Sequence, residues 1–315
     1  MTRVVVTGGA GFIGSHLVDA LLAEGREVTV VDDLSSGRQE RVNANADLEV
    51  LDISDAAALD PVIDAAQPAA IYHIGAQSSV TVSVTDPRRD LEVNVLGTLN
   101  LLEAARRVEA PLVFTSTGGA LYGNEASIPT PETSIPSPLA PYGASKWAAE
   151  AYINTWANSS SLPHTVLRLG NVYGPRQSPH GEAGVVAIFT HALWSGGTPK
   201  LFGFGKPTRD YIHVSDVVAA ALRATGVRGT FNVATGIETT VSALFRILAA
   251  TASSETPPAE LPLREGELER SCMDPTRAAE VLGWHATVEL EAGLKQTFAE
   301  LVAEFEAAGA GAQPV

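Results

Sequence analysis

The chain has 315 residues, enough for a large core or two joined domains, and its 45% hydrophobic and 18% charged residues with 28 Gly and 19 Pro exclude a disordered or collagen-like chain. Lys and Arg number 21 against 36 Asp and Glu, and the formal net charge of -15 repels phosphate backbones, which argues against nucleic acid and anionic membranes as partners. A few placed arginines are still able to hold a small anion locally. The single Cys272 excludes an internal disulfide framework and a multi-cysteine zinc site. Residues 1–7 already read as a strand rather than a leader, and no run approaches the roughly 18 apolar residues of a membrane span. The expectation is a soluble, cytoplasmic protein.

Five short Val/Ile/Leu-rich runs punctuate the first half: Arg3–Thr7, Glu27–Val31, Leu48–Asp52, Ala70–Ile74 and Leu112–Ser116. They are continuous rather than alternating, as expected of strands buried on both faces. Helical spacing appears between them, over Gly14–Glu24 and Val93–Val108, and a sixth strand at Thr165–Leu169 follows a helix at Pro141–Ser159. Strand and helix in alternation predict an α/β fold, a doubly wound parallel sheet reached by right-handed crossovers. After about residue 170 Pro and Gly become frequent and the alternation ends. The expected division is therefore a nucleotide-binding domain over 1–170 and a smaller α/β substrate-binding part over 171–315, lying across the carboxyl ends of the strands. Residues 307–315, rich in Ala, Gly and Pro, are expected to be a disordered tail.

The first strand runs directly into Gly8-Gly9-Ala10-Gly11-Phe12-Ile13-Gly14 and then a helix. The spacing Gly9-x-Gly11-x-x-Gly14 is a dinucleotide fingerprint, and Gly8-x-x-Gly11-x-x-Gly14 satisfies a second version of it. A Cβ in such a turn would hold the backbone away from a pyrophosphate, and the helix amino terminus supplies free N–H groups and partial positive charge. Asp32 follows at the expected offset of about 20 residues, where a carboxylate accepts from ribose hydroxyls and repels a 2′-phosphate, pointing to NAD. Asp32 or Asp33 as a strand-end cap is the plainer reading, and Arg38 keeps NADP open. Asp52-Ile53 has two readings, a contact to adenine or a solvated strand end.

Tyr142 and Lys146 are four apart on a helix whose first turn is set by Pro141, so they share a face. An ammonium beside a phenol stabilises the phenolate and lowers a pKa that is ordinarily near 10, which makes a general base usable at neutral pH. No histidine pair has the i,i+4 spacing of a helical metal site, and no metal is expected. His73, at the end of a strand, reads as a satisfied core residue.

With Thr7-Gly-Gly-Ala-Gly-Phe-Ile-Gly14, Tyr142-Gly-Ala-Ser-Lys146, Arg168-Leu-Gly-Asn-Val-Tyr-Gly-Pro-Arg176 and Arg209-Asp-Tyr-Ile-His-Val-Ser-Asp216, nearly the whole chain resembles the extended short-chain dehydrogenases/reductases of the NAD-dependent epimerase/dehydratase family. Within that family it is most similar to the UDP-glucose (UDP-galactose) 4-epimerases. The resemblance implies a Rossmann-type sheet, tightly held NAD and a UDP-sugar substrate oxidised at C4 to a 4-keto sugar and re-reduced on its other face. It assigns Tyr142 as base, with Lys146 on the nicotinamide ribose. Gly8, Gly11, Phe12, Ile13, Asp32, Asp52, Ile53, Gly75, Ala76 and Gln77 would line the cofactor, and Asn94 would contact it or brace the loop.

The family usually has Ser or Thr five residues before the glycine of its (Val/Leu)-Tyr-Gly triplet, and here that position is Gly118. The expectation is that neighbouring Thr117 takes the role, the alternative being Tyr142 alone, with water. Gly119-Ala120 stands where related dehydratases and decarboxylases carry acid/base residues, which favours epimerisation over a nucleotide-sugar dehydratase. A UDP-uronic acid epimerase and a catalytically silent dinucleotide sensor are the other readings. On the substrate side the resemblance points to Asn171, Arg209 and Arg264 for the diphosphate and sugar, and to Val185, Val186, Leu201 and Phe202 around uracil, with apolar core as the competing reading for those four. Ser271 falls beside the sugar 2-position, where a small residue admits N-acetylhexosamines. The helices Leu91–Arg107 and Pro141–Ser159 are expected to form a homodimer interface.

Overall fold

The computed structural model describes residues 2–180, 184–264 and 267–309. Its centre is a seven-stranded parallel sheet. In chain order the elements of the first half are β1 (Arg3–Thr7), α1 (Phe12–Ala23), β2 (Glu27–Asp32), β3 (Asp47–Val50), α2 (Ala56–Ala66), β4 (Ile71–His73), α3 (Val80–Thr85), α4 (Pro87–Asp90), α5 (Gly97–Arg107), β5 (Leu112–Thr117), α6 (Pro141–Ser159) and β6 (Thr165–Leu169). A π-helical turn, Leu91–Leu96, joins α4 to α5. The second half adds β7 (Asn171–Tyr173), α7 (Val185–Trp194), β8 (Lys200–Phe202), β9 (Thr208–Arg209), β10 (Tyr211–His213), α8 (Val214–Ala224), β11 (Gly229–Val233), β12 (Thr239–Thr240), α9 (Val241–Thr251), β13 (Ala259–Leu261), α10 (Thr276–Leu282) and α11 (Leu290–Ala307).

The strand order β11-β6-β5-β4-β1-β2-β3 reverses direction between β1 and β4. In such a sheet the crevice outside the carboxyl ends of the strands at this switch is where ligands bind. Alternate residues of β1 explain why the strand is apolar throughout: Val4 and Val6 pack with Leu17, Val218 and Trp284 on one face, while Val5 packs with Leu59, Leu101 and Ile153 on the other. All three valines are fully buried, each burial contributing roughly 1.5–3 kcal/mol.

Three expectations change. The run at Leu48 is an edge strand, largely exposed, and it ends at Val50, so Asp52 lies in the following turn rather than at the strand end. The seventh sheet strand, β11, comes from beyond residue 170, pairing with β6 from Gly229↔Thr165 to Val233↔Leu169. A single cut at 170 therefore does not separate the sheet from the rest: α8 and α10 also pack on it, while the remaining segments build a third core around Tyr173, Phe189 and Leu244. Ala307 is the last residue of α11, so the expected tail does not begin there, and 310–315 lie outside the described residues. Among the described residues, no helix is long and apolar enough to cross a membrane.

Candidate active site

The glycine turn sits at the switch. Gly8 has φ +71°, and a Cβ on it would lie 2.5 Å from the Gly75 nitrogen; on Gly14 it would lie 2.0 Å from the Gly8 oxygen. The backbone of β1 thus presses directly on the loop after β4, an approach that only glycine allows. Gly11 caps α1 without any side-chain hydrogen bond, which leaves the first N–H groups of the helix, Phe12 and Ile13 among them, without a side-chain acceptor. Asp32, 8% exposed, is fixed at the end of β2 by N–H donation from Ala10 to Oδ2 (3.0 Å) and from Leu34 to Oδ1 (2.9 Å). Burial pushes its carboxyl up against those bonds. Each oxygen retains a lone pair for a ribose hydroxyl, so the turn fits a dinucleotide, and the carboxylate disfavours a 2′-phosphate. Asp32 also carries the strand-end cap role, through Leu34.

Asp52 is otherwise engaged. Its Oδ1 accepts from the Ser54 N–H and hydroxyl, and Oδ2 lies 3.0 Å from Arg89, which also reaches Asp33 at 3.4 Å. Although burial works the other way, these partners hold its carboxyl below the usual range. This arginine clasp across the ends of β2 and β3 had no signal in the chain's local pattern.

Asn94, 1% exposed, braces the site. Its amide donates to Ser145 Oγ (2.9 Å) and to the Gln77 carbonyl (2.9 Å), and it accepts from the Gln77 N–H (2.9 Å). Ser145 in turn donates to the Tyr142 carbonyl (2.8 Å), so the loop Gly75–Gln77 and the first turn of α6 are tied through one side chain. The π-helical turn aims Asn94 inward, a placement typical of functional sites. Gln77 also donates to buried Asp90, a residue the sequence reading missed, whose second oxygen has no partner. His73 is fully buried, with Nδ1 on Thr7 Oγ1 (2.8 Å) and Nε2 on Thr98 Oγ1 (3.0 Å): it is a core residue, as expected.

Pro141 starts α6, which places Tyr142 and Lys146 one turn apart, Lys146 buried against β5 and Tyr142 half-buried. Lys146 is 3% exposed; its Nζ donates to the Thr115 carbonyl (2.9 Å) and sits 4.5 Å from the Phe114 ring centre. Burial drives the ammonium down to about 7, against opposing pulls from Glu150 and Asp90. Burial, then Asp90, pushes the Tyr142 phenol up to about 12. This reverses the lowered phenol expected from the Tyr–Lys spacing alone. Both shifts have burial as their largest cause.

Thr117 ends β5, two residues beyond the carbonyl that Lys146 grips, and its hydroxyl accepts from the Ala120 N–H (3.2 Å). Ser116 is turned away, donating to Glu150 (2.5 Å), which forms a buried ion pair with Arg168 (2.6 Å). Glu150 continues the Tyr142, Lys146 column by one more turn, so its i,i+8 spacing was readable. Across the crevice Asn171 lies beside Gly119, where a Cβ would be 3.2 Å from its Oδ1; that buried oxygen has no partner. Arg209 donates to the Thr208 carbonyl (2.8 Å) and faces Glu267 at 3.8 Å, and the Ser271 N–H donates to the same carbonyl (3.2 Å). Arg264 lies over the Phe202 ring at 3.7 Å. Val186 and Leu201 are buried in the third core, so the core reading holds for them, while Val185 and Phe202 keep an accessible face.

The NAD dependent epimerase/dehydratase family model matches residues 4–234. A "UDP-glucose 4-epimerase" of Mycolicibacterium smegmatis is 46% identical over 303 residues, covering 94% of this chain and 97% of that protein. The structure of UDP-glucose 4-epimerase with UDP-glucose from Thermotoga maritima superposes with a TM-score of 0.95 at 44% identity, over 96% of this chain and 100% of that one. The Thermus thermophilus UDP-glucose 4-epimerase complex with NAD gives 0.90 at 42%, over 95% and 99%.

Proposed function

Because the chain belongs to the NAD dependent epimerase/dehydratase family, we propose that it is an NAD-dependent UDP-hexose 4-epimerase, an isomerase interconverting UDP-galactose and UDP-glucose. The observation that carries the reading is the placement of Tyr142 one helical turn from a buried Lys146 that grips β5 at Thr115, with Thr117 at that strand's end. When bound, NAD would supply the hydride acceptor and donor that chemistry at C4 needs. The chain's residues do the rest. The Tyr142 phenolate takes the 4-hydroxyl proton and, as the phenol, later returns it; the Lys146 ammonium stabilises the phenolate. Thr117 donates to the 4-oxygen. Gly119 and Ala120 have no side chain able to move a proton at C5 or C6, which supports epimerisation over elimination.

Gly8, Gly11, Phe12 and Ile13 hold the pyrophosphate, Asp32 the ribose, and the loop Gly75–Gln77 the nicotinamide end. Asn171, Arg209 and Arg264 receive the substrate diphosphate and sugar; bidentate guanidinium groups are how so acidic a protein binds an anion. Val185 and Phe202 flank uracil. The small Ser271 admits an N-acetyl group, and a UDP-N-acetylglucosamine 4-epimerase of Methanobrevibacter ruminantium has the same fold at 31% identity and a TM-score of 0.90. Leu91, Leu96, Trp147 and Tyr152, between 41% and 59% exposed on the π-helical turn and α6, support a homodimer across these helices.

Purified protein, with NAD added, is incubated separately with UDP-galactose and UDP-GlcNAc and the products are resolved by chromatography. UDP-glucose and UDP-GalNAc without net NADH are expected; no turnover of either sugar would overturn the reading.

A further inference from the structure

Gly118 has no left-handed φ, so its backbone does not require glycine. What a side chain here would meet is Met273. A Cβ on Gly118 would fall 1.6 Å from Met273 Sδ and 2.6 Å from its Cε. Met273 is 1% exposed and packs with Tyr122 and Ala234. Its backbone is held on several sides: its N–H donates to Asp210 Oδ2 (3.3 Å), the Thr130 N–H donates to the Cys272 carbonyl (2.9 Å), and the Asp274 N–H donates to the Thr130 carbonyl (3.0 Å). Asp210 is itself buried and pinned by the Thr235 N–H and hydroxyl and the Gly236 N–H.

The side chain therefore projects from a fixed backbone onto the turn that carries Thr117. That turn is held from the sheet by donation of the Gly118 N–H to the Leu169 carbonyl (2.8 Å), and closed by the Ala120 N–H on the Thr117 hydroxyl. The small cavity alongside, lined by Gly118, Tyr122, Thr130, Ser271 and Cys272, has room for about one water.

We propose that Met273 is a positioning residue for the 4-epimerase reaction: its thioether seats the turn Thr117–Ala120 so that the Thr117 hydroxyl meets the sugar 4-oxygen, and it couples that turn to the segment carrying Ser271. The proposal rests on the epimerase reading and adds to it a mechanical link between the catalytic turn and the sugar wall. Moving a reacting group by an ångström costs up to about a hundredfold in rate, so disturbing this seat affects chemistry more than binding.

The test is a double-mutant cycle on the NAD-loaded enzyme with UDP-galactose. Gly118→Ala lowers kcat at least tenfold while KM stays within about threefold and bound NAD is unchanged. Met273→Ala lowers kcat about fivefold or more, and the volume-conserving Met273→Leu stays near wild type. Gly118→Ala combined with Met273→Ala makes room for the added methyl and recovers at least part of the Gly118→Ala loss. That recovery is also the safeguard should Gly118→Ala alone fold poorly. A Gly118→Ala enzyme as active as wild type, or a double variant whose loss is the product of the single losses, would overturn the proposal. A wild-type protein that holds NAD yet leaves UDP-galactose unchanged overturns instead the epimerase reading beneath it.

Discussion

The two sides of the crevice are built by different means. The cofactor side is backbone: a glycine turn pressed on Gly75, a helix terminus and one carboxylate pinned by two N–H groups. The sugar side is side chains from segments far apart in the chain, and they satisfy one another: Arg209 faces Glu267 and Arg264 lies on Phe202. On the proposed function, a substrate diphosphate would have to compete for these two arginines, whereas the backbone of the glycine turn needs no such exchange.

The contrast is broken most severely where the two sides meet, at Tyr142. Replacement by Phe removes the proton acceptor and lowers kcat about a thousandfold while NAD remains bound. Loss of NAD together with activity would instead make Tyr142 a structural support for the cofactor wall. On the cofactor side alone, Asp32→Ala removes charge-assisted hydrogen bonds and the clamp on Ala10, weakening NAD about tenfold to a hundredfold in a direct binding titration. Unchanged affinity would reduce Asp32 to a strand-end cap. On the sugar side alone, Ser271→Tyr disfavours UDP-GlcNAc against UDP-galactose by about tenfold or more, leaving NAD untouched. Equal loss on both sugars would remove Ser271 from the 2-position.

The cofactor side and the sheet were largely legible in the chain. Buried parallel strands must be apolar on both faces, and the close approach of Gly8 to Gly75 admits nothing but glycine, so both leave a mark in a few consecutive residues. Pro141 and the Tyr–Lys spacing likewise gave the length and facing of α6. Tertiary pairing left no such mark. β11 joins the sheet from beyond the apparent boundary because its partner β6 lies far back in the chain, and Met273 meets Gly118 only through the fold. The direction of the Tyr142 shift was also out of reach, since spacing reports the neighbouring lysine and not the burial and the Asp90 carboxylate that raise the phenol.

A pH-dependent effect sharpens that last point. Lys146 is held at about 7 in the fold against an ordinary 10.5. Between those values the unfolded chain binds a proton that the fold does not, so stability from this group rises with pH across that window. Its cost is absent above about 10.5 and complete below about 7. Lys146→Met removes it: without ligands, the variant should gain stability over wild type in urea unfolding as pH falls from 10 to 7. A constant difference would mean that Lys146 stays charged in the folded protein.

The central claim is that hydride leaves C4 and returns to it inside one closed site. UDP-galactose deuterated at C4 tests it directly, with the product examined by NMR. The account predicts UDP-glucose that keeps its deuterium at C4, with no accumulation of NADH. Deuterium lost to solvent, or NADH released in step with product, would contradict it.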